Sequence, residues 1–454
     1  MLIEDSLKIA MFSIHSDPIG VLGTKDTGGM SVYIRELARE LGQRGHRIDI
    51  YTRSQEKADH SVRHLYENVR LIHLGIPNGH SLSKQAMYPF LPKYFRAIEN
   101  FRMAENLSYD IIHSHYWLSG KLGNRAQELW ECPHVTTFHT LGKIKNQTKV
   151  GSPEPDFRIA AEKEIVQTCQ RILAPTARER GNLIKLYDAP SDSIGIVPCG
   201  VNLKLFHPTP KADARKQLGL NPSHTILLYI GRFDPLKGLS ALLEAIPCLK
   251  DRHRTRLVIV GGDGDKSAEY RAMVQKTKDL NIAEQVIFAG QNDQNDLRPF
   301  YGAADMLVMP SSYESFGMVG LEALACGRPV VSTAVGAVDY LIRKSRAGCI
   351  VADPSPRNLA AGIQSVMTNP ALPPAEKIRE SILEYSWSNV ASTVIAEYET
   401  AICLQQFEGD ERIQARGSCY DDDHSTSPQR PGLWDFAEKA SNRSRSFFNT
   451  VGLP

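Results

Sequence analysis

The chain has 454 residues, of which 42% are hydrophobic and 23% charged. That is ordinary globular usage for two or three domains, and it excludes a wholly disordered or collagen-like chain. Lys and Arg number 53 against 51 Asp and Glu, a formal charge of +2, so no global field favours nucleic acid or an anionic membrane. No apolar run approaches the ~20 residues of a membrane-spanning helix. The start, Met1-Leu2-Ile3-Glu4-Asp5-Ser6, carries acidic residues where a secretory signal would carry Lys or Arg. Eight cysteines without a CxxC pair, most of them inside apolar segments, fit reduced thiols and a cytoplasmic location.

Short β-branched runs alternate with stretches whose apolar residues recur every three or four positions. Residues 8–16 read as a first strand, followed by a Gly-rich loop and a helix from about Gly29, with Tyr33, Leu37 and Leu41 on one face and Gly45 as its stop. Further strands are expected at 48–52, 69–73, 111–115, 135–138, 172–174 and 194–197. The stretch 201–213, with two prolines and little periodicity, reads as a linker. The alternation then restarts, with strands expected at 226–230, 257–260, 286–288, 306–309 and 330–332. Such a pattern predicts an α/β protein of two Rossmann-like, doubly wound parallel sheets. A last helix is expected over 389–403. From 405 to 454 the chain turns polar and charge-mixed and reads as a disordered tail with one short helix at 434–440.

Open α/β sheets bind ligands beyond the carboxyl ends of their strands, so two facing sheets imply one cleft between them. The candidate motifs fall on those loops. Asp26-Thr27-Gly28-Gly29-Met30 follows the first strand; its glycines admit a ligand to the backbone, and the helix start offers N–H groups to an anion. A plain strand-to-helix turn is the alternative, and the spelling is not the GxGxxG of a nicotinamide site. Gly231-Arg232-Phe233-Asp234-Pro235-Leu236-Lys237-Gly238 sets two cations beside a helix start, a combination suited to a diphosphate. The segment from Pro310 to Ala323 carries Glu314 on a loop and Glu322 inside the following helix. Carboxylates repel phosphate but accept from hydroxyls, so Glu322 suits a ribose diol and Glu314 a sugar, while the N–H groups of Gly317, Met318 and Val319 suit a phosphate.

Four further features invite other readings. Asp263-Gly264-Asp265 spells DxD, a pattern that can hold a divalent metal, but it sits in a Gly-rich turn that needs no metal to explain it. Asp421 to His424 lies in the tail. His113 and His115 are expected to face opposite ways, His115 toward the pocket and His113 into packing, without zinc. Tyr94, Phe95 and Met103 beside Lys93, Arg96 and Arg102 could rest on lipid, although an ordinary surface helix explains them as well.

Taken together, Asp26-Thr27-Gly28-Gly29, His113-Ser114-His115-Tyr116-Trp117, His139-Thr140-Leu141, Gly231-Arg232 with Lys237-Gly238, and Glu314 with Glu322 resemble the retaining glycosyltransferases of family 4, which have the GT-B fold. The likeness runs from about Lys8 to Cys403. Within the family it is nearest to the inositol-phosphate N-acetylglucosaminyltransferases of mycothiol synthesis, then to sucrose-phosphate synthases. The resemblance implies an acceptor-binding domain over 1–204 and a nucleotide-sugar domain over 205–386. A helix over 387–404 would return to the first domain, and 405–454 is left as tail. Arg232 and Lys237 would hold the donor diphosphate, with Gly28 and Gly29 beneath it and Phe316, Gly317, Met318 and Val319 around it. Glu314 and His139 would meet the donor sugar, Glu322 the ribose, and the backbone at Asn292 the base. Lys84, Tyr116, Thr140 and Arg158 would cradle an acceptor phosphate. Ser31 stands where those transferases carry Asn.

The expected activity is retaining transfer of glucose or N-acetylglucosamine from UDP-glucose or UDP-N-acetylglucosamine to a small phosphorylated sugar or polyol. Catalysis would rest on Arg232, Lys237, His139 and Glu314, with no metal or other cofactor. A lipid-linked or polysaccharide acceptor, a nucleotide-sugar 2-epimerase and a non-catalytic nucleotide-sugar binder are the competing readings. No nucleic-acid partner is expected, and a homodimer is left open.

Overall fold

The computed structural model describes residues 6–22, 27–54, 60–76, 82–262, 264 and 267–417, with side chains up to residue 406. The first sheet holds β1 (Lys8–Phe12), β2 (Arg47–Arg53), β3 (Ser61–Tyr66), β4 (Val69–Leu74), β5 (Ile111–His115), β6 (His134–Thr137), β7 (Arg171–Ala174) and β8 (Ile194–Ile196). Their order is β3-β4-β2-β1-β5-β6-β7-β8. All pairs are parallel except β3 with β4. The second sheet holds β9 (Thr225–Ile230), β10 (Thr255–Val260), β11 (Val286–Gly290), β12 (Met306–Met309), β13 (Val330–Thr333) and β14 (Gly348–Val351). Its order is β11-β10-β9-β12-β13-β14, parallel throughout.

Helices cover both faces of each sheet, so the central strands are apolar on both sides rather than alternating. In β1, Ile9, Ala10, Met11 and Phe12 are all fully buried, and Ile9 pairs with Ile48 on one side and Ile111 on the other. The order in which strands are added reverses at β1/β5 in the first sheet and at β9/β12 in the second. At such switch points neighbouring loops diverge and open a crevice beyond the strand ends. The four loops that follow these strands are the ones carrying the candidate motifs.

Two strands escaped the sequence reading. β3 is an antiparallel edge strand whose first four residues are exposed, so it lacks the apolar signature. β14 is a four-residue edge strand opening on Gly348. The histidine expectation is corrected as well: residues two apart on a strand share a face, and the His113 and His115 ring centroids lie 4.1 Å apart.

The last helix runs over Trp387–Gly417, so the polar tail cannot begin at 405. Gln, Glu, Arg and Ala dominate 405–416 with no proline, and these are good helix formers. Residues 418–454, including Asp421 to His424 and the short helix expected at 434–440, lie outside the described residues. This helix packs on the first sheet's lobe, not the second. Tyr398 Oη meets His113 Nδ1 at 2.7 Å, Arg171 Nη2 reaches Glu397 Oε2 at 2.5 Å, and the Trp387 ring stacks edge-on against Tyr33 at 5.4 Å. On helix Leu91–Ala104, Tyr94 is fully buried while Met103 is 67% exposed, so the two do not share an outward face.

Candidate active site at the cleft between the two sheets

Helix Gly29–Gln43 begins after β1, and helix Met318–Ala325 begins after β12. Their N-termini meet across the cleft: a Cβ on Gly29 would lie 3.5 Å from Met318 Sδ. Neither first turn carries an acidic residue, so two positive dipole ends face one another without internal compensation. Gly317, which caps the second helix, has φ +96°, and a Cβ there would come within 2.3 Å of Val338 Cγ2. The tight turn therefore demands glycine. Phe316 lies beneath it with its side chain in the core, so it shapes the loop rather than the cleft surface.

The loop after β9 is zipped to the loop after β12. Ser312 N donates to Leu236 O at 2.8 Å. Gly238, at φ +69°, packs so tightly that a Cβ would sit 2.2 Å from Pro310 O. This contact sets Lys237 Nζ between both Glu314 oxygens, at 2.7 and 2.8 Å, and Ser311 Oγ donates to Glu314 Oε1 at 2.8 Å. Arg232, on the same loop as Lys237, keeps its guanidinium 3.6 Å from Asp234 Oδ2.

Glu322 is buried, and both its oxygens are engaged. Tyr301 Oη donates to Oε2 at 2.6 Å and Gln294 Nε2 to Oε1 at 3.1 Å. Burial pushes its carboxyl up to about 7, with those two donors pulling the other way. Asn292 spends its side-chain amide on Ala289 O and Gly290 O, at 3.2 and 3.3 Å, within its own loop.

On the facing lobe, His139 follows β6 with φ +59°, a conformation unusual for a side chain with a Cβ. Its Nε2 lies 3.0 Å from His115 Nδ1 and its ring 5.2 Å from that of Tyr33. Desolvation among these groups pushes His139 down to about 3, so it is a neutral imidazole at pH 7. Arg158 is buried. Its Nε donates to Glu162 Oε1 at 2.7 Å, its Nη1 lies 2.9 Å from Glu154 Oε2, and its Nη2 donates at 3.0 Å to both Thr140 O and Thr140 Oγ1. The guanidinium also lies 4.9 Å from the Tyr116 ring centroid. Tyr116 in turn stacks at 4.3 Å on His15. The His15 imidazole is held well below its ordinary value, first by burial and then by the positive charges of Lys84, Arg53 and Arg158. Lys84, Tyr116 and Arg158 are thus gathered around one buried histidine, and Thr140 joins them through Arg158.

Residues 27–205 match the family model described as Glycosyltransferase Family 4, and residues 210–385 match that of Glycosyl transferases group 1. A D-inositol 3-phosphate glycosyltransferase of Thermobispora bispora is 35% identical over 407 residues, spanning 87% of this chain and 95% of that protein. The chain belongs to glycosyltransferase family 4. It is an enzyme that transfers sugars, on the GT-B fold. A second D-inositol 3-phosphate glycosyltransferase, from Acidothermus cellulolyticus, is 34% identical over 90% of this chain and 94% of that one. Among solved structures, a sucrose-phosphate synthase of Thermosynechococcus elongatus superposes with TM-score 0.81 at 30% identity, covering 88% of this chain and all of that one.

In this transferase the lobes touch at several points beyond the two helix starts. Tyr313 Oη accepts from Leu141 N at 3.3 Å, Ser315 Oγ donates to Glu179 Oε2 at 2.7 Å, and Arg35 Nη2 donates to Gln294 Oε1 at 2.7 Å. A cavity of about 270 Å³ between them is lined by Asn182, Glu179, Ser312, Glu314 and Ser315, among others. Glu179 Oε1 has no partner among the described residues, and burial pushes this carboxyl up to about 7. No group of three or more His, Cys, Asp or Glu among the described residues could hold a metal ion. Asp263 and Asp265 lie outside those residues. No helix among them is long and apolar enough to cross a membrane.

Sequence reasoning missed His15, Arg35, Glu179, Gln294 and Tyr301. His15 lies just past the end of β1, and Gln294 two residues past Asn292, so strand-end position was a usable signal for both. Arg35, Glu179 and Tyr301 sit on helical segments with no local mark of their role. Ser31 is buried and bonded to Ser16 Oγ at 2.7 Å, which turns its hydroxyl inward.

Proposed function

We propose that this transferase moves a glucosyl or N-acetylglucosaminyl group from a UDP-sugar, with retention at the anomeric carbon, to a small phosphorylated polyol or sugar. The observation that carries the donor half is the meeting of two uncompensated helix starts, at Gly29 and Met318, beside Lys237 and Arg232. A diphosphate between them would relieve the repulsion of the two dipole ends. The acceptor half rests on the grouping of Lys84, Tyr116, Thr140 and Arg158, in which Arg158 is held by Glu154 and Glu162. The names of the D-inositol 3-phosphate glycosyltransferase relatives support it. In this reading the first lobe, residues 1–204 with the returning helix from 387, holds the acceptor, and residues 205–386 hold the nucleotide.

The bond from the anomeric carbon to the diphosphate oxygen breaks as the acceptor oxygen bonds on the same face. The acceptor's proton passes to the leaving diphosphate oxygen, so no protein base is needed. Negative charge grows on the diphosphate, and Lys237, Arg232 and the Gly317–Val319 N–H groups are preorganised toward it; such fixed charge is usually the largest catalytic contribution. Glu314 aims Lys237 and accepts from sugar hydroxyls. Neutral His139 hydrogen-bonds the sugar without adding a charge beside the positive ring of the transition state. Glu322 accepts from the ribose, and the Asn292 backbone meets the base.

A panel of UDP-glucose and UDP-N-acetylglucosamine against inositol 3-phosphate, hexose phosphates and unphosphorylated inositol tests the proposal. Nucleotide release that depends on a phosphorylated acceptor is the expected result, with the α-linked product identified by NMR. Preference for a neutral or lipid-linked acceptor would remove the phosphate pocket, and donor conversion without acceptor would favour an epimerase.

A further inference from the structure

We infer that Arg35, acting through Gln294, is a positioning residue that holds the Glu322 carboxylate in its nucleotide-binding orientation, and does so from the opposite lobe. This rests on the reading of Glu322 as the ribose acceptor. Arg35 stands on helix Gly29–Gln43 of the first lobe, and Gln294 on the short turn after β11 in the second. The contact is specific at both ends of one planar group. Gln294 Oε1 accepts from Arg35 Nη2 at 2.7 Å, and Gln294 Nε2 donates to Glu322 Oε1 at 3.1 Å.

Because the amide is planar, anchoring its oxygen on a cation also aims its nitrogen. With Arg35 withdrawn, the amide loses the partner that fixes its oxygen, and its NH₂ is no longer held on the carboxylate. Gln294 is only 6% exposed, so water is a poor substitute for either contact. Tyr301 Oη, at 2.6 Å from Glu322 Oε2, fixes the other oxygen from within the second lobe alone. One oxygen of Glu322 is therefore set locally and the other only when the lobes are together. Ribose recognition and closure of the cleft become a single event, since a contact present in one arrangement and absent in the other shifts the balance between them.

The groups facing Glu322 make the relay readable by pH. Tyr301 and Gln294 donate to it, Arg35 stands behind Gln294, Glu36 on the same helix as Arg35 repels it, and Cys326 at the end of its own helix senses its charge. Losing the Gln294 donor leaves the ionised form less supported, so its titration must move to higher pH.

The test compares binding of ribose nucleoside diphosphates with their 2′,3′-dideoxy counterparts by calorimetry, using UDP, ADP and GDP and continuing with whichever binds tightest. Hydrogen bonds to a charged acceptor predict that the intact enzyme prefers the ribose form by on the order of 10- to 100-fold. Arg35→Met and Gln294→Leu should cut that preference to a few-fold while leaving dideoxy-nucleotide affinity and thermal midpoint in place. Arg35→Lys should recover part of it, because an ammonium can still donate to Gln294 Oε1. In Gln294→Leu the residual preference should fade at higher pH than in the intact enzyme. A full preference retained in Arg35→Met and Gln294→Leu would overturn the relay while leaving the ribose role of Glu322 standing. No preference in the intact enzyme would overturn that role and the relay with it.

Discussion

In the proposed function both sides of the cleft hold an anion, and their cations are built into the fold in different ways. On the second lobe the side chains of Lys237 and Arg232 are 25% and 33% exposed, with Lys237 paired to both oxygens of Glu314 and Arg232 standing 3.6 Å from Asp234. On the first lobe Arg158 has a side chain only 1% exposed and is pinned by Glu154, Glu162 and Thr140. A cation that is partly open to the cleft and aimed by its carboxylate is preorganised to meet charge that builds on a leaving group. A locked one can only present a fixed shape. On the proposed reading the donor side would then serve transition-state charge, and the acceptor side recognition of a ground-state ligand.

The comparison is tested most severely at Arg158. Arg158→Ala would leave the fully buried Glu162 without its cation, with only the Gly142 N–H and Tyr187 Oη as donors, so a loss of about 3–5 kcal/mol in stability is expected, read by urea denaturation. An unchanged midpoint would mean the pair is not structural. Next comes Lys237→Ala, which should lower kcat by on the order of 10²–10³. Its stability cost should be smaller than that of Arg158→Ala, about 1–2 kcal/mol, because Lys237 is 25% exposed and Glu314 keeps Ser311 as a donor. Loss of fold with loss of activity in that variant would erase the contrast between the two sides.

A third, smaller effect concerns the boundary itself. The Glu179 carboxyl is raised in the fold to about 7 from an ordinary value of 4.5, so the native state holds a proton that the unfolded chain releases. Stability should therefore fall as pH rises through this window, with the penalty complete above pH 7. Glu179→Gln keeps a partner for Ser315 and removes the charge. It should raise the melting temperature at pH 8, by the equivalent of about 3 kcal/mol, and change little at pH 4.5. An equal gain at both pH values would point to packing instead. The smallest effect is expected at Asn292. Its amide bonds are long and confined to its own loop, so Asn292→Ala should alter donor KM only a few-fold. A large rise would show that the side chain, not the backbone, meets the base.

Legibility in the sequence followed the range of the forces involved. Buried parallel strands are recognisable because both faces are apolar, and twelve of the fourteen observed strands overlap runs visible as such; the exposed edge strand Ser61–Tyr66 and the short edge strand Gly348–Val351 do not show that signal. Gly317 and Gly238 were legible because turn geometry restricts the residue type at those positions. His15 was not, since a histidine past a strand end looks like any other until Tyr116, Lys84 and Arg158 are packed around it. Gln294 was overlooked beside Asn292 because an amide has no charge to betray a role, and its two partners come from residues 35 and 322.

The sequence by itself determined two α/β sheets, the loops that bear the chemistry and the residue types on them, because strand periodicity, helix starts and turn strain act over a few residues. Only the tertiary structure decided which of those groups face each other. The pairing of Lys237 with Glu314 and the Arg35–Gln294–Glu322 relay join segments distant in the chain, whereas the lock on Arg158 is largely local, with Glu154 and Glu162 four residues to either side. The Lys237–Glu314 pairing depends on how the loops after β9 and β12 pack, and the relay on how the two lobes meet, and no local pattern encodes either.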